Sequence, residues 1–280
     1  MLPFNVDLSG KNIVVTGGAG VIGAEMSKSL AQCGGNIIII GIDEAGGERV
    51  VKEIEAAGGK ACSIVASVTD KAAMEKAKDT VHDTFGTVDI LINGAGGNHP
   101  KGTTDDEQYD PNLKQDMKSF FELDEKSVGF VFDLNFIGTF IPSQVFAQDM
   151  VDKADAAIIN ISSMNAFTPL TKIPAYSGAK AAISNFTQWL SVYFSKTNIR
   201  VNAIAPGFLL TAQNKALLLN DDGSYTERSQ KILNATPMGR FGEPEELIGA
   251  LLFLLNKQAS SFINGVVLPV DGGFNAYAGV

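Results

Sequence analysis

The stretch KNIVVTGGAGVIG, residues 11–23, decides the fold of this chain. The branched apolar residues before Thr16 predict a buried strand, and the run that follows the glycines has the periodicity of a helix. Gly17, Gly20 and Gly23 stand where backbone N–H groups can approach a pyrophosphate at the positive end of a helix dipole. Glycines in such a turn are also typical where only a positive φ is needed. Their place in an N-terminal β–α–β unit favours dinucleotide binding.

The alternation of strand and helix continues along the chain. Strands are predicted at 11–16, 36–41, 61–66, 88–93, 156–162, 199–205 and 265–270, and helices at 20–33, 44–57, 70–85, 123–150, 174–196 and 243–256. Continuous apolar strands are covered on both faces, so the pattern predicts a parallel sheet between two layers of helices. We see no linker or internal repeat. We therefore expect one α/β domain over 1–280, a Rossmann-type doubly wound sheet of about seven strands.

Composition argues against several classes of partner. The formal net charge of −9 disfavours nucleic acid and anionic membranes. The opening MLPFNVDLSGK lacks a signal-peptide pattern, and the longest apolar runs are too short to span a bilayer. Cys33 and Cys62 are isolated, which predicts free thiols and fits a cytoplasmic location. His82 and His99 form no ligand-spaced cluster, so no metal is expected.

The identity of the dinucleotide depends on the end of the second strand. An acid about 20 residues after the glycine loop commonly hydrogen-bonds the ribose 2′-hydroxyl. Asp43 lies near that place in IIIIGIDEAGG, although Gly41 occupies the position where such an acid usually stands. No arginine follows to receive a 2′-phosphate, which favours NAD and leaves NADP possible. Asp43 is equally well explained as a helix N-cap.

A candidate catalytic pair is found in AYSGAK, residues 175–180. Tyr176 and Lys180 are four residues apart and share one face of a helix. A tyrosine has an ordinary pKa near ~10, which a neighbouring ammonium lowers, so the pair can serve as an acid/base. The same spacing is common in purely structural helices. Ser163, which follows a strand, and Asn135, an amide in an apolar helix, strengthen the catalytic interpretation.

Taken together, these motifs resemble the short-chain dehydrogenase/reductase family. The resemblance rests on TGGAGVIG (16–23), NGAG (93–96), NFIG (135–138), SS (162–163), YSGAK (176–180), VNAIAPG (201–207) and LPVDGG (268–273), in the family's order. It implies hydride transfer between a nicotinamide and a secondary alcohol or ketone. It further implies that Ser163, rather than Ser162, holds the carbonyl and that Tyr176 is the acid/base. Lys180 then lowers the pKa of the tyrosine and binds the nicotinamide ribose, and Asn135 positions a water.

The same resemblance implies a set of cofactor contacts: Gly17, Gly20, Val21, Ile22, Gly23, Asp43, Ser67, Val68, Asn93, Gly94, Ala95, Tyr176, Lys180, Pro206, Gly207 and Thr211. Three positions depart from the family pattern. Val21 replaces a glycine of the loop, Gly94 replaces the second asparagine of NNAG, and Ser67 replaces the acid that often contacts adenine. These departures bear on cofactor affinity more than on catalysis.

Two polar excursions interrupt the alternation, at 97–120 and 208–240, and both follow predicted strands. Long excursions in a compact domain are usually functional or disordered. The first opens with GGNHPK, where Asn98, His99 and Lys101 suit a carboxylate with neighbouring hydroxyls. Alternatively, this segment is a solvated loop whose Lys101 balances nearby acids.

Further resemblance within the family concerns the substrate. GGNHPK, SSMNAFTPLTKIPAYSGAK and TPMGRFGEPEEL resemble the branch that interconverts D-fructuronate and D-mannonate. This implies a sugar-acid substrate contacted by Asn98, His99, Lys101, Ser163, Asn165, Tyr176 and Arg240. The alternatives are a gluconate 5-dehydrogenase, a 3-oxoacyl carrier-protein reductase and, remotely, a non-catalytic dinucleotide sensor. The family is usually a homotetramer, which implies a homo-oligomer here.

Overall fold

Seven parallel strands form one sheet in the order β3-β2-β1-β4-β5-β6-β7. This computed structural model describes residues 6–112, 117–211 and 214–279. The strands are β1 Asn12–Thr16, β2 Asn36–Gly41, β3 Lys60–Val65, β4 Ile90–Asn93, β5 Ala156–Ile161, β6 Ile199–Pro206 and β7 Val267–Val270. The predicted fold class is confirmed. The strand order reverses direction between β1 and β4, and ligands bind at the carboxyl ends of strands beside such a switch point.

Helices cover both faces of the sheet. They are α1 Val21–Gln32, α2 Glu44–Ala56, α3 Lys71–Thr84, α4 Glu125–Phe132, α5 Gly138–Met150, α6 Pro174–Tyr193, α7 Lys215–Leu218, α8 Glu227–Asn234, α9 Ile248–Leu255 and α10 Lys257–Ser260. The predicted helix at 123–150 is interrupted by a π-helical turn at Asp133–Ile137. The predicted helix at 243–256 begins with a 3₁₀ turn at Pro244–Leu247.

The apolar strands are buried on both sides, as their sequences predict. Ile13 and Val15 of β1 pack into a cluster with α1, α2 and α9, whereas Val14 packs into a second cluster with α3, α5 and α6. All three side chains have no exposed surface. Burial of each such side chain contributes about 1.5–3 kcal/mol. This two-sided burial fixes the carboxyl ends of the strands and hence the loops that follow them.

One helical stretch meets the length and composition criteria for a membrane span. Among the described residues, Glu125–Met150 has a mean hydropathy of 1.3 over its most apolar window, of which 50% is buried. Core helices of globular proteins satisfy the same criteria. This stretch packs against α3, β4 and α6, so its apolar character is explained by the core.

The two excursions contact the core and each other. Residues 113–116 of the first and 212–213 of the second lie outside the described residues. The Thr104 N–H donates to the Lys172 carbonyl (2.9 Å), and the Lys172 ammonium donates to the Asp105 carbonyl (2.9 Å). An ion pair between Glu107 and Lys231 (3.1 Å) joins the first excursion to α8 of the second. Both excursions therefore lie at the same edge of the sheet.

Candidate active site

A cleft of about 580 Å³ opens at the carboxyl ends of the strands, at the switch point between β1 and β4. Its walls are the loop after β1, the end of β2, the loop after β4, the end of β5, the start of α6 and the segment after β6. Ser163, Tyr176 and Lys180 all line it. Five of the seven sequence motifs therefore contribute to one cavity, whereas NFIG, which contains Asn135, and LPVDGG lie outside its lining.

The glycine loop is shaped by close backbone approach. Gly17 has a φ of +66°, and a Cβ there would lie 2.8 Å from the Ala95 backbone. A Cβ at Gly23 would lie 2.2 Å from the Gly17 carbonyl oxygen, whereas one at Gly20 would keep 3.3 Å. In the described structure, α1 has no side-chain cap and no acid in its first turn. Its N–H groups face the cleft without a competing acceptor, so the loop fits a pyrophosphate.

Asp43 caps α2 and also lines the cleft. Its carboxylate accepts a hydrogen bond from the Gly46 N–H (3.0 Å) and so caps α2. Together with Gly41 and Ile42, Asp43 also lines the cleft at the end of β2. The N-cap is therefore seen in the structure, and contact between Asp43 and a ribose hydroxyl stays a prediction.

Three residues of the expected cofactor set lie outside the lining of this cleft. Val68 is buried beneath Gly138, and Ser67 bonds Thr69 (2.9 Å). Asn93 is 1% exposed and is part of the core. The contacts that these three make within the protein give them structural roles in the folded chain.

Asn93 belongs to a buried chain of hydrogen bonds that runs from α5 across β4 and β5 to α6, on one face of the sheet. Its amide donates to the Ser143 hydroxyl (2.9 Å) on α5 and to the Asn160 side-chain oxygen (2.8 Å) on β5. The Asn160 amide donates to the Thr187 hydroxyl (2.9 Å) on α6. Ser143 in turn donates to the Thr139 carbonyl (2.7 Å). This chain connects the helices on which Asn135 and Tyr176 depend.

Asn135 lies in the π-helical turn and is fully buried. Its amide donates to the carbonyls of Gly97 (2.7 Å) and Val131 (2.8 Å), and its side-chain oxygen accepts from the Gly97 N–H (3.2 Å). Its own carbonyl accepts from the Thr139 hydroxyl (2.8 Å). The amide oxygen and nitrogen of Asn135 thus both bind Gly97 in the loop after β4, which forms one wall of the cleft. The widened turn is what brings this side chain to that loop.

Ser162 and Ser163 both line the cleft but have different partners. The Ser162 hydroxyl bonds Ser184 (2.7 Å) and donates to the Lys180 carbonyl (3.2 Å), so it ties β5 to α6. The Ser163 hydroxyl accepts from the Asn165 N–H (3.2 Å) and bonds the Tyr176 hydroxyl. The catalytic assignment of Ser163 stays a prediction, and its contact with Tyr176 is the feature that distinguishes it from Ser162.

The electrostatics of Tyr176 and Lys180 differ from the expectation. Burial raises the pKa of Tyr176 above its ordinary value, and the hydrogen bond with Ser163 opposes this shift. Burial lowers the pKa of Lys180 to about 8. The ammonium donates to the Ile161 carbonyl (2.8 Å) and lies 5.5 Å from the centre of the Tyr176 ring. Lys180 therefore faces the ring rather than the hydroxyl, so the predicted lowering of the tyrosine pKa is not seen in this structure.

Several expected substrate contacts are engaged within the protein. The Asn98 amide donates to Thr103 (3.0 Å), and the His99 ring accepts from the Lys101 N–H (3.2 Å). Lys101 is exposed beside Asp124, whose pKa is lowered first by hydrogen bonds from Ser127 and further by the Lys101 charge. Asn98, His99 and Lys101 line neither the cleft nor the second cavity described next.

Asn165 and Arg240 have contrasting surroundings. Asn165 is 3% exposed, and its side-chain oxygen lacks a hydrogen-bond partner among the described residues. Arg240 makes a two-pronged ion pair with Glu246 (2.6 and 2.7 Å) and lines a separate cavity of about 110 Å³. The structure thus places Asn165 beside Ser163 but does not bring Arg240 to Tyr176.

A second cavity of about 470 Å³ adjoins the cleft. It is lined by Thr103, Glu107, Leu170, Thr171, Lys172, Ile173, Phe208, Glu227, Arg228, Lys231, Ile232, Ala235 and Phe274. Phe208 lines both cavities, and Ile173 directly precedes α6, which carries Tyr176. Sequence reasoning named none of these residues as substrate contacts. Eight of them belong to the two excursions, and Leu170, Thr171, Lys172 and Ile173 belong to the quoted motif SSMNAFTPLTKIPAYSGAK, so membership of these segments was the available signal.

Sequence reasoning also missed part of the first cleft, namely Ala19, Gly41, Ile42, Gly96, Gly97, Ile161, Phe208, Leu209 and Asn214. Most of these are direct neighbours of motif residues, and adjacency was the signal that could have found them. The cleft is therefore wider than the motifs alone indicate.

The family is decided by comparison with known sequences. The profile of the short chain dehydrogenase family matches residues 11–222. The chain belongs to the short-chain dehydrogenase family. This short-chain dehydrogenase is 56% identical over 276 residues to an uncharacterized oxidoreductase from Haemophilus influenzae, covering 99% of this chain and 97% of that protein. The chain is an oxidoreductase.

Two further similarities concern proteins with more specific descriptions. A crystal structure from Haemophilus influenzae, provisionally assigned as a D-mannonate oxidoreductase and containing bound NAD, superposes with a TM-score of 0.97 at 55% identity over 100% of both chains. The 5-keto-D-gluconate 5-reductase of Escherichia coli is 34% identical over 268 residues, covering 95% of this short-chain dehydrogenase and 96% of that enzyme.

Proposed function

We propose that this short-chain dehydrogenase reduces the ketone of a sugar acid with NADH, converting D-fructuronate to D-mannonate. The observation that carries the proposal is the cavity of about 470 Å³ beside the Tyr176 segment. Its volume lies in the range of small-molecule sites, and its charged and hydroxyl side chains suit a substrate with several hydroxyls and a carboxylate. The provisional assignment of the Haemophilus influenzae structure supports the same substrate.

Tyr176 and Ser163 are placed to act on the carbonyl oxygen. The raised pKa keeps Tyr176 protonated at neutral pH, so its hydroxyl can donate a proton as the alkoxide forms. The Ser163 hydroxyl, already bonded to Tyr176, holds the same oxygen. A bound nicotinamide supplies the hydride.

Lys180 and Asn135 contribute to this chemistry without contacting the carbonyl oxygen. With a pKa of about 8, Lys180 is charged at neutral pH and favours the phenolate that Tyr176 leaves after proton transfer. Asn135 fixes the Gly97 backbone at the edge of the cleft. Lys180 thus stabilises developing charge, and Asn135 maintains the shape of the site. A water positioned by Asn135, which the family resemblance implies, remains part of the proposal.

The cofactor we propose is NAD(H) rather than NADP(H). Asp43 places a carboxylate in the cleft at the end of β2, where it suits a ribose hydroxyl and repels a 2′-phosphate. The described lining of the cleft contains no arginine. The bound NAD in the Haemophilus influenzae structure supports this choice.

The first experiment compares substrates at fixed enzyme concentration. Oxidation of NADH and of NADPH is followed with D-fructuronate, 5-keto-D-gluconate and an acetoacetyl thioester. We expect the highest kcat/KM with D-fructuronate and NADH. Preference for the thioester would contradict the sugar-acid proposal, and NADH binding without turnover of any ketone would indicate a dinucleotide sensor.

A second candidate substrate is 5-keto-D-gluconate. The 34% identity to the Escherichia coli reductase over nearly the whole chain favours it, and the compound is again a ketone with a carboxylate. The same cavity would serve both substrates. A higher kcat/KM with 5-keto-D-gluconate in this experiment would select this alternative.

We further propose a cytoplasmic homo-oligomer, a tetramer by family resemblance. Trp189 and Tyr193 of α6 are stacked 5.1 Å apart and are 55% and 66% exposed, with Phe140 of α5 beside them. Such an exposed aromatic face favours association between copies. Light scattering of the wild type and of Trp189→Glu tests this, and equal masses for both would contradict it.

A further inference from the structure

The second cavity is electropositive although the chain is acidic. Its lining contains three cations, Lys172, Arg228 and Lys231, and two carboxylates, Glu107 and Glu227, so three positive charges face two negative ones. The whole chain has a formal net charge of −9. A local excess of positive charge in a partly enclosed cavity attracts anions.

Two of the three cations are already engaged. Lys231 pairs with Glu107 at 3.1 Å and with Glu227 at 3.9 Å. Lys172 donates to the Asp105 carbonyl at 2.9 Å. The Arg228 guanidinium makes no hydrogen bond or ion pair with any described residue. This guanidinium therefore presents uncommitted donors to the cavity.

The second cavity lies next to the cleft that contains the reacting groups. Lys172 and Ile173 lie between the turn that holds Ser163 and the helix that holds Tyr176. Lys172 has a φ of +70°, a conformation that a non-glycine residue adopts only where surrounding contacts impose it. Phe208 lines both cavities. A ligand that binds at Tyr176 and also reaches Arg228 would have to pass Phe208, the residue common to both linings.

We propose that Arg228 binds the carboxylate of the substrate and so determines preference for sugar acids over neutral ketoses. The inference rests on the proposed function and assigns the carboxylate site to α8, where the sequence alone had indicated Lys101 and Arg240. A planar guanidinium can bind a carboxylate through two parallel hydrogen bonds. Thr171 adds a hydroxyl-bearing side chain to the same lining, where a sugar hydroxyl would lie.

The test uses Arg228→Gln in the full-length enzyme, with D-fructuronate and its methyl ester as substrates. Loss of a charge-assisted contact should raise KM for the acid by roughly 10–100-fold, with a smaller change in kcat. KM for the uncharged ester should change less than threefold. Arg49→Gln is the matched control, because it removes an equal charge from an exposed helix outside both cavities.

The outcomes separate the inference from the function on which it rests. Wild-type turnover of the acid, together with an unchanged KM in Arg228→Gln, overturns the inference and leaves the proposed function standing. An equal loss for acid and ester also overturns it, because that result indicates a structural role. If the wild type reduces only neutral ketones, both proposals fail. Lys101→Gln is measured in parallel, and a larger effect there than at Arg228 would return the carboxylate to the first excursion.

Discussion

Replacing Lys180 by methionine should make the protein more stable and nearly inactive. Burial lowers the pKa of Lys180 from 10.5 to about 8, a difference of 2.5. At 1.36 kcal/mol for each pH unit, keeping this lysine charged at pH 7 costs the fold about 3 kcal/mol. Methionine removes that cost but leaves the Ile161 carbonyl without its donor, which costs about 1–3 kcal/mol. The net expectation is a gain of about 0–2 kcal/mol.

The difference in stability between the wild type and Lys180→Met should depend on pH. Because the folded-state pKa of Lys180 lies below the unfolded value, the unfolded chain binds more protons between pH 8 and 10.5. The wild type therefore gains stability from this group as the pH rises through that window, and Lys180→Met does not. At pH 9.5 the variant should have lost about 2 kcal/mol of its advantage.

Urea unfolding of both proteins at pH 7 and pH 9.5 measures this difference. An advantage that does not change with pH, or a variant that is less stable by more than about 2 kcal/mol at pH 7, would refute the reasoning. In the activity assay, the variant should lose about 100–10,000-fold in kcat/KM. Wild-type ketone reduction should decline above about pH 8, as the ammonium is lost.

Three other substitutions test the remaining parts of the site. Gly23→Ala places a Cβ 2.2 Å from a backbone oxygen, so it should weaken NADH binding at least about tenfold in a fluorescence titration and destabilise the fold by about 1–3 kcal/mol. Gly249→Ala, which meets no atom within 4 Å, is its control and should do neither. Ser163→Ala should lower kcat about 100-fold with NADH affinity retained; full activity would remove Ser163 from the reaction. Asn135→Ala releases the Gly97 backbone and should lower kcat/KM by up to about 100-fold, and an unchanged value would contradict its positioning role.

The sheet could be predicted from sequence because burial leaves a local mark. NIIIIG at 36–41 reads as a strand on its own, since covered strands are apolar on both faces, and β2 has those bounds. Tyr176, Lys180 and Ser163 could likewise be found because short motifs fix their spacing. The π-helical turn around Asn135 could not, because a single extra residue in a helical turn has no distinct composition.

The substrate contacts were harder to predict from sequence, because contacts between distant parts of the chain decide where these side chains lie. Arg240 pairs with Glu246, and Lys101 lies beside Asp124, although both cations belong to segments that reach the ligand edge. Arg228 belongs to none of the sequence motifs, yet its position on α8 places it in the lining of the second cavity. The position of α8 depends on contacts such as the ion pair between Glu107 and Lys231, which are 124 residues apart in sequence. Local pattern contains no information about such partners.

The hydrogen-bonded chain through Asn93, Asn160 and Thr187 also determines how Tyr176 is held in position. A purely apolar contact between a helix and a sheet would tolerate a slip of one turn, roughly 5.4 Å, at little loss of buried area. Directional hydrogen bonds between β4, β5 and α6 admit a single alignment. These residues therefore fix the register of α6 along the sheet. Hydrophobic replacements there should leave a folded sheet whose tyrosine no longer has one defined position.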